Sequence, residues 1–205
     1  MTKALALVFL ASAPLFADGG AMTPAERAYL LEQLESSRTE MLASIDGLTE
    51  AQWKFKSAPA VWSIAECAEH IILAEDYIFG GAQQLLKTPS VARPATSTAE
   101  ADRKIVAMVK DRSKKATAPE PITPAGKFAT PADAAREFSA RRQKTIAYVD
   151  NTSDELRAHA GPGPVGVMDS YQLLLLLAAH SSRHTAQILE VKANPSYPKT
   201  MAAVR

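Results

Sequence analysis

The sequence predicts an all-α protein, built as a helical bundle with long crossover connections and short extra helical turns. Five stretches have the periodicity of helices, and no run alternates with period two for long enough to require a sheet. Ala and Leu, which favour helices, are abundant, and the 13 prolines cluster between the helical stretches. With 205 residues and 47% hydrophobic content, the chain is expected to form one globular domain.

The N-terminus has the pattern of a secretory signal. Lys3 is followed by an apolar run, residues 4–16, which is too short to span a bilayer but fits the hydrophobic region of such a signal. Asp18-Gly19-Gly20 then interrupts the chain before a strong helix start. The alternative is a short buried helix. We expect residues 1–21 to be removed on export to a periplasm or the outside, leaving residues 22–205 as the domain, without a stable membrane span.

The first half of the chain contains two long helices that begin with capping boxes. Thr23-Pro24-Ala25-Glu26 starts a helix predicted to end near Gly47. Ser63-Ile64-Ala65-Glu66 starts a second, predicted to end near Leu86. A short helical turn from Thr49 lies between them and carries Trp53 and Phe55. The apolar stripe of the first helix is Leu31, Leu34, Met41, Leu42 and Ile45, and that of the second is Ile64, Cys67, His70 or Ile71, Ala74 and Ile78.

The second half alternates helices with proline-rich connections. Residues 87–98 form a long connection, followed by a helix over about 98–112 with Ile105, Met108 and Val109 apolar. Residues 118–130 are expected to be a loop crossing the surface. A helix over about 130–149 follows, then a short turn at 153–156. The Gly-Pro run at 161–164 breaks the chain before the last helix, about 169–193.

His180 and His184 form the most informative pair in the sequence. Residues four apart lie on one helix face, about 6 Å apart along the axis. His70, on the second long helix, lies on or beside the apolar stripe of that helix. Three neutral imidazoles from two helices match the ligand shell of many zinc sites, and Ni²⁺ and Fe²⁺ also accept imidazole. The last helix has the inward stripe Leu173, Leu177, His180, His184, Ile188 and Val191.

Two alternatives to a metal site remain from the residues alone. A single histidine on an apolar face is more often a hydrogen-bonded core residue than a ligand. The pair at 180 and 184 also fits a polar stripe at the mouth of a bundle. Because position 181 is Ser, the general base of the His-Glu-x-x-His pattern is missing, which argues against a metalloprotease.

Two segments resemble the DinB-like family. Residues 62–71, Trp-Ser-Ile-Ala-Glu-Cys-Ala-Glu-His-Ile, are similar to the segment that opens the second helix of that family, and residues 180–188 resemble its C-terminal His-x-x-x-His helix. The resemblance covers roughly residues 24–198. It implies an up-down-down-up four-helix bundle that binds a divalent metal through three histidines, here His70, His180 and His184. It also implies either metal-dependent hydrolysis or thiol-dependent transfer.

Other polar residues are weaker candidates for the site. Glu66, one turn before His70, could serve as a base or only complete the capping box. His159, in the loop before Gly161, could serve as an acid or base or be solvated. Gln187 could hydrogen-bond a group of the site or have a buried structural role. Arg183 is expected at the bundle rim, where it could meet an anionic substrate or a carboxylate, and Cys67 is expected to be a buried thiol. Trp53 and Trp62 are expected to pack the end of the bundle.

Three classes of function follow. The first is a metal-dependent hydrolase or transferase acting on a small molecule, and the second is a non-catalytic bundle stabilised by metal. The third is an interaction protein, with a homodimer as one form. The net charge of +1 lacks the excess of positive charge that is typical of nucleic-acid-binding proteins. Export favours hydrolysis over transfer, because the thiols that the resemblance implies are mainly cytosolic.

Overall fold

The computed structural model describes residues 20–92 and 97–199. These residues form six α-helices and one short hairpin. The predicted signal falls almost entirely on residues 1–19, which lie outside the described residues, so it stays a prediction. The elements are α1 (Pro24–Ile45), α2 (Glu50–Trp53), α3 (Ile64–Leu85), α4 (Ala99–Lys110), α5 (Pro131–Asn151), β1 (Ala160–Gly163), β2 (Gly166–Asp169) and α6 (Ser170–Lys192).

The four long helices form the predicted bundle. Helix α6 packs against α1 and α3, and α5 packs against the same two helices from the other side. The shorter α4 covers a further face of α6. As a result, every residue of α6 from Leu173 to Ala179 is buried. None of the described helices is both long and apolar enough to span a membrane.

The predicted helix starts are confirmed by their hydrogen bonds. Thr23, Thr49 and Ser63 each cap a helix through a complete capping box. Asp169 and Gln172 form a fourth box at the start of α6, which the sequence analysis did not single out. These caps satisfy the free N–H groups at the helix ends and fix where each helix begins.

Two of the predicted apolar stripes are wrong in detail. In α1 Leu30 is fully buried, although it was not predicted, whereas the predicted Leu31 and Leu42 are only half-buried. The true stripe also contains Ser37 and Ser44, whose hydroxyls donate to backbone carbonyls of their own helix. Small polar residues inside the stripe therefore shifted the apolar pattern by one position. In α4 the buried residues are Asp102, Ile105 and Val106, while Met108 is 46% exposed.

The connections differ from the prediction in three places. Residues 160–169 form an antiparallel hairpin. Its strands have only four residues each and contain Gly and Pro, so they lack the alternation of apolar and polar residues that would have predicted them. The short turn predicted at 153–156 lies slightly later, at Leu156 and Arg157, where the N–H of Ala158 donates to the Glu155 carbonyl at 2.8 Å. In the expected surface loop, a 3₁₀ turn (Glu120–Ile122) buries the side chain of Ile122, which is 4% exposed, against α3.

Candidate metal centre

The structure brings the three predicted ligands together. His70 reaches inward from α3, and His180 and His184 reach inward from successive turns of α6. The ring centroids are 4.4–4.9 Å apart in all three pairs. One ring nitrogen from each histidine lies within 4.8 Å of the other two. This convergence is the geometry that a single cation between two helices requires.

The outer nitrogens of two rings are held by neutral oxygen acceptors. Nδ1 of His70 lies 2.7 Å from the backbone carbonyl oxygen of Ile122. Nδ1 of His184 lies 2.9 Å from the amide oxygen of Gln187. Because both oxygens only accept, each Nδ1 carries the proton and each Nε2 keeps its lone pair. These two hydrogen bonds fix the tautomer that a metal ligand needs.

His180 is not satisfied by the protein alone. Its Nδ1 is buried and has no hydrogen-bond partner among the described residues, and its Nε2 lies 3.1 Å from Nε2 of His70. If Nε2 of His180 carries the proton, the lone pair on its Nδ1 has no donor. If Nδ1 carries the proton instead, the Nε2 lone pairs of His180 and His70 face each other. A cation bound by the three Nε2 atoms would remove the conflict between the two lone pairs. The donor set therefore fits a divalent metal.

Burial keeps all three rings neutral. It lowers the pKa of His70, lowers that of His180 well below the usual range, and lowers that of His184 to about 3. The neighbouring imidazoles lower the pKa of His180 and His184 further. Metals bind the neutral imidazole, so the rings have the required protonation state at neutral pH.

The rotation of α6 about its axis is set by a buried ion pair next to the histidines. Ser181 accepts a hydrogen bond from Arg142, at 2.8 Å, and donates one to Glu75, at 3.2 Å. Arg142 and Glu75 are themselves a buried salt bridge of 2.5 Å. Ser181 thus occupies the glutamate position of a zincin pattern but faces the core.

Trp62 lies against the candidate site instead of packing only the bundle end. Its ring is 4.9 Å from the ring of His70 and 6.1 Å from that of His184. The residue is half-buried, with its ring against two of the three histidines. Because Trp62 precedes the helix cap, helical periodicity could not place it. Trp53 is fully buried, as predicted for a residue that packs the bundle, and its indole N–H donates to the Phe128 carbonyl.

The structure does not bring Glu66 or His159 into contact with the three histidines. Glu66 accepts hydrogen bonds from the Ser63 backbone and from Lys56, which matches its capping role. His159 is hydrogen-bonded to the Thr88 carbonyl, and its own carbonyl accepts from Ser170 at the start of α6. His180 follows Ser170 by ten residues, or about 15 Å of helix.

The remaining candidates have clear contacts. Gln187 binds His184, as one of its two predicted roles required. The guanidinium of Arg183 donates to the backbone carbonyl of Val109 in the last turn of α4 and to those of Asp111 and Lys114 in the α4–α5 connection. Cys67 is buried, and burial raises the pKa of its thiol to about 12, so it is an inert core residue.

A four-helix bundle in which three imidazole nitrogens converge between α3 and α6 defines a class of helical proteins with an internal cluster of three histidines that could hold a metal ion. A sequence profile of the DinB superfamily matches residues 33–188, and the chain belongs to that superfamily. The uncharacterized protein YuaE of Bacillus subtilis is 26% identical over 157 residues, which span 76% of this chain and 93% of YuaE.

A solved structure supports the same fold. It is that of YfiT from Bacillus subtilis, which is described as a probable metal-dependent hydrolase with an unusual four-helix bundle topology. The TM-score is 0.56 at 13% sequence identity, covering 84% of this chain and 89% of YfiT. At that identity the likeness concerns the fold alone. It confirms the predicted four-helix bundle.

Proposed function

We propose that this protein binds one divalent metal ion through the Nε2 atoms of His70, His180 and His184 and hydrolyses a small molecule at that site. The observation that carries the proposal is the convergence of three neutral rings, two of them with the proton fixed on Nδ1. The hydrolase description of YfiT, which shares the fold, supports the choice of reaction.

The donor set favours Zn²⁺, Ni²⁺ or Fe²⁺, which accept neutral imidazole. When bound by three protein ligands, such an ion supplies Lewis acidity toward an oxygen atom of substrate or water. The carbonyl of Ile122 and the amide of Gln187 hold the protons of their rings away from the ligand nitrogens. Trp62 restricts water on one side of the site and offers an apolar surface to a substrate.

One observation favours a second candidate, a metal with a purely structural role. Across residues 20–92 and 97–199, the ring nitrogens of the three histidines hydrogen-bond only to each other, to a backbone carbonyl and to an amide. No carboxylate in this part of the chain is hydrogen-bonded to them as a general base. A substrate group would then have to transfer the proton itself.

Metal binding is the first test. Wild-type protein reconstituted with Zn²⁺, Ni²⁺ or Fe²⁺ is expected to retain about one equivalent after desalting, because three ligands suffice for a stable site. His180→Ala should retain none, whereas His159→Ala, the matched control outside the site, should behave as wild type. Equal metal content in the His180 variant and wild type would overturn the proposal.

Turnover separates the two candidates. The reconstituted protein is assayed against a panel of small esters, amides and lactones, with and without added thiols. Hydrolysis that is lost in His180→Ala and kept in His159→Ala supports the proposed activity, and activity that requires a thiol supports transfer. If no substrate is turned over but metal removal lowers the melting temperature, the metal is structural.

We also propose that the protein works outside the cytosol on a small-molecule substrate. The apolar run at residues 4–16 supports export. Fractionation of cells that express the full chain, followed by N-terminal sequencing, tests this. Exported protein that begins near residue 22 is expected; cytosolic protein with residues 1–20 intact would contradict it.

A further inference from the structure

We infer that Glu69 is a positioning residue for the candidate metal centre, and that it acts through the connection between α4 and α5. This inference rests on the proposed function, in which His70 is a metal ligand. Glu69 is 2% exposed and immediately precedes His70 on α3. From the sequence alone, Glu69 belongs to no predicted site.

The carboxylate of Glu69 is held by three consecutive backbone N–H groups of the connection. One oxygen accepts from Ala125 at 2.8 Å; the other accepts from Gly126 at 2.8 Å and Lys127 at 3.0 Å. Successive N–H groups that converge in this way form an anion-binding concavity. Gly126 has a φ of +80°, a conformation that L side chains rarely adopt, which lets the backbone wrap the carboxylate.

No salt bridge to Lys, Arg or His balances the charge of Glu69 among residues 20–92 and 97–199. The three N–H groups are therefore its main electrostatic compensation, and charge-assisted bonds of this kind are stronger than neutral ones. A buried carboxylate that loses them would be costly. Glu69 thus fixes the position of residues 125–127 more firmly than loop packing would.

The same short segment carries the acceptor of His70. Ile122 lies three residues before Ala125, at the end of a 3₁₀ turn closed by the hydrogen bond from its N–H to the Pro119 carbonyl. Its carbonyl accepts the Nδ1 proton of His70. Glu69 and His70, neighbours on α3, therefore hydrogen-bond to the same short segment, Glu69 at residues 125–127 and His70 at Ile122. The hydrogen bonds of Glu69 keep the Ile122 carbonyl in the position where it accepts the Nδ1 proton of His70 and so leaves the His70 Nε2 free to bind a metal.

The beginning of the connection is fastened separately to α6. Arg183 donates to the carbonyls of Asp111 and Lys114 there, and Arg112 donates to Gln187, the partner of His184, at 3.3 Å. The connection consequently touches the outer shell of a histidine on each helix. Glu69 is the contact whose removal should disturb His70 and leave His184 unchanged.

The test compares Glu69→Gln with Asp76→Asn, a control with the same chemical change on an exposed part of α3. The Gln side chain keeps the size but turns one acceptor oxygen into a donor that opposes the loop N–H groups. In the metal-free protein at about pH 8, where histidine is neutral, long-range ¹H–¹⁵N NMR reports each ring tautomer. Wild type and Asp76→Asn should show His70 with the proton on Nδ1 alone.

Glu69→Gln is expected to give a mixture of tautomers at His70 while His184 keeps its own. Its affinity for Zn²⁺, measured by competition with a chelator, should fall roughly 10- to 100-fold, the usual effect of losing an outer-shell partner. Gly126→Ala, which strains the φ-positive position but leaves Glu69 in place, should shift the His70 tautomer in the same direction.

Two results would overturn the inference. One is a folded Glu69→Gln variant with a pure Nδ1–H tautomer at His70 and a Zn²⁺ affinity within about twofold of wild type. The other, decisive if Glu69→Gln does not fold, is an unchanged His70 tautomer in Gly126→Ala. Because the tautomer is read without metal, it decides the role of Glu69 even if wild type binds no Zn²⁺ and the proposed function fails.

Discussion

Two buried polar clusters contact the opposite halves of α6, and they differ in how completely the protein satisfies them. Near the start of α6, the Arg157 cluster contains Arg157 with Glu26, Asp102 and Asp169. Further along α6 lies the candidate metal centre of three histidines. Every donor of the first cluster has a partner inside the protein, whereas the second leaves ring nitrogens without one. The difference separates a group that holds the fold from a group arranged for a ligand.

The Arg157 cluster ties three parts of the chain to the start of α6. Its guanidinium is fully buried and uses all five N–H groups on the three carboxylates, which come from α1, α4 and the end of β2. The guanidinium also lies 3.7 Å from the centre of the Tyr171 ring. Ser97 and Gln172 donate to Asp169 and Asp102. Such a network is costly to break at any single member.

The largest effect is expected from Arg157→Ala. Removal of the guanidinium leaves three carboxylates close together, two of them fully buried, without their cation. Breaking a buried pair costs about 3–5 kcal/mol in the free energy of unfolding. Urea unfolding of the variant measures this directly.

The control is Arg136→Ala, because the Arg136 side chain is 75% exposed and its ion pair is with Asp133 on the same helix. The control should change stability by less than about 0.5 kcal/mol. If both arginine variants unfolded at the same urea concentration, the Arg157 cluster would not be the structural centre described above.

A smaller effect is expected from acid in the metal-free protein. Burial lowers the pKa of His184 from its ordinary 6.5 to about 3 and also lowers the pKa of His70 and His180. Below about pH 6.5 these histidines bind protons in the unfolded chain but stay neutral in the folded chain. Stability should therefore fall as pH drops from about 6.5 toward 5, by up to about 1.4 kcal/mol per pH unit for each such histidine.

Unfolding of the metal-free protein in urea at a series of pH values measures this slope, with His184→Ala as the comparison. The variant should lose stability less steeply, because one depressed group is gone. Asp169 of the Arg157 cluster should have the opposite effect. Burial raises the pKa of its carboxyl, and a carboxyl with a raised pKa in the folded state makes the protein more stable as pH falls. An identical slope in wild type and variant would contradict the assignment.

The smallest effect is expected from His180→Ala on the stability of the metal-free protein. The variant loses packing, but it also removes a buried nitrogen that has no partner. These contributions oppose each other, so the free energy of unfolding should stay within about 1 kcal/mol of wild type. A loss as large as that of Arg157→Ala would erase the distinction between the two clusters.

Much of the fold could be predicted because its signals are local. Thr23, Thr49 and Ser63 mark helix starts through hydrogen bonds made within three residues. The four-residue spacing of His180 and His184 places both on one face of α6 whatever packs against it. Even the small error at Leu31 came from a local cause, the serines within the true stripe.

The parts that were missed depend on segments distant in sequence. The carbonyl of Ile122 reaches His70 across 52 residues, and the N–H groups that bind Glu69 lie 56–58 residues from it. A carbonyl belongs to every residue, so nothing in the letters distinguishes that of Ile122. Similarly, Glu69 and Glu75 look like the solvent-facing side of α3 until α5 and the α4–α5 connection cover them.

By itself, the sequence determined the helices, their starts, the family and the three residues that could bind a metal. Backbone hydrogen bonding and helical spacing act over a few residues, so they can be read along the chain. Only the tertiary structure decided how the ring protons are placed, which charges are buried and paired, and that Trp62 borders the site. These depend on contacts between remote segments, whose geometry is fixed only when the bundle packs.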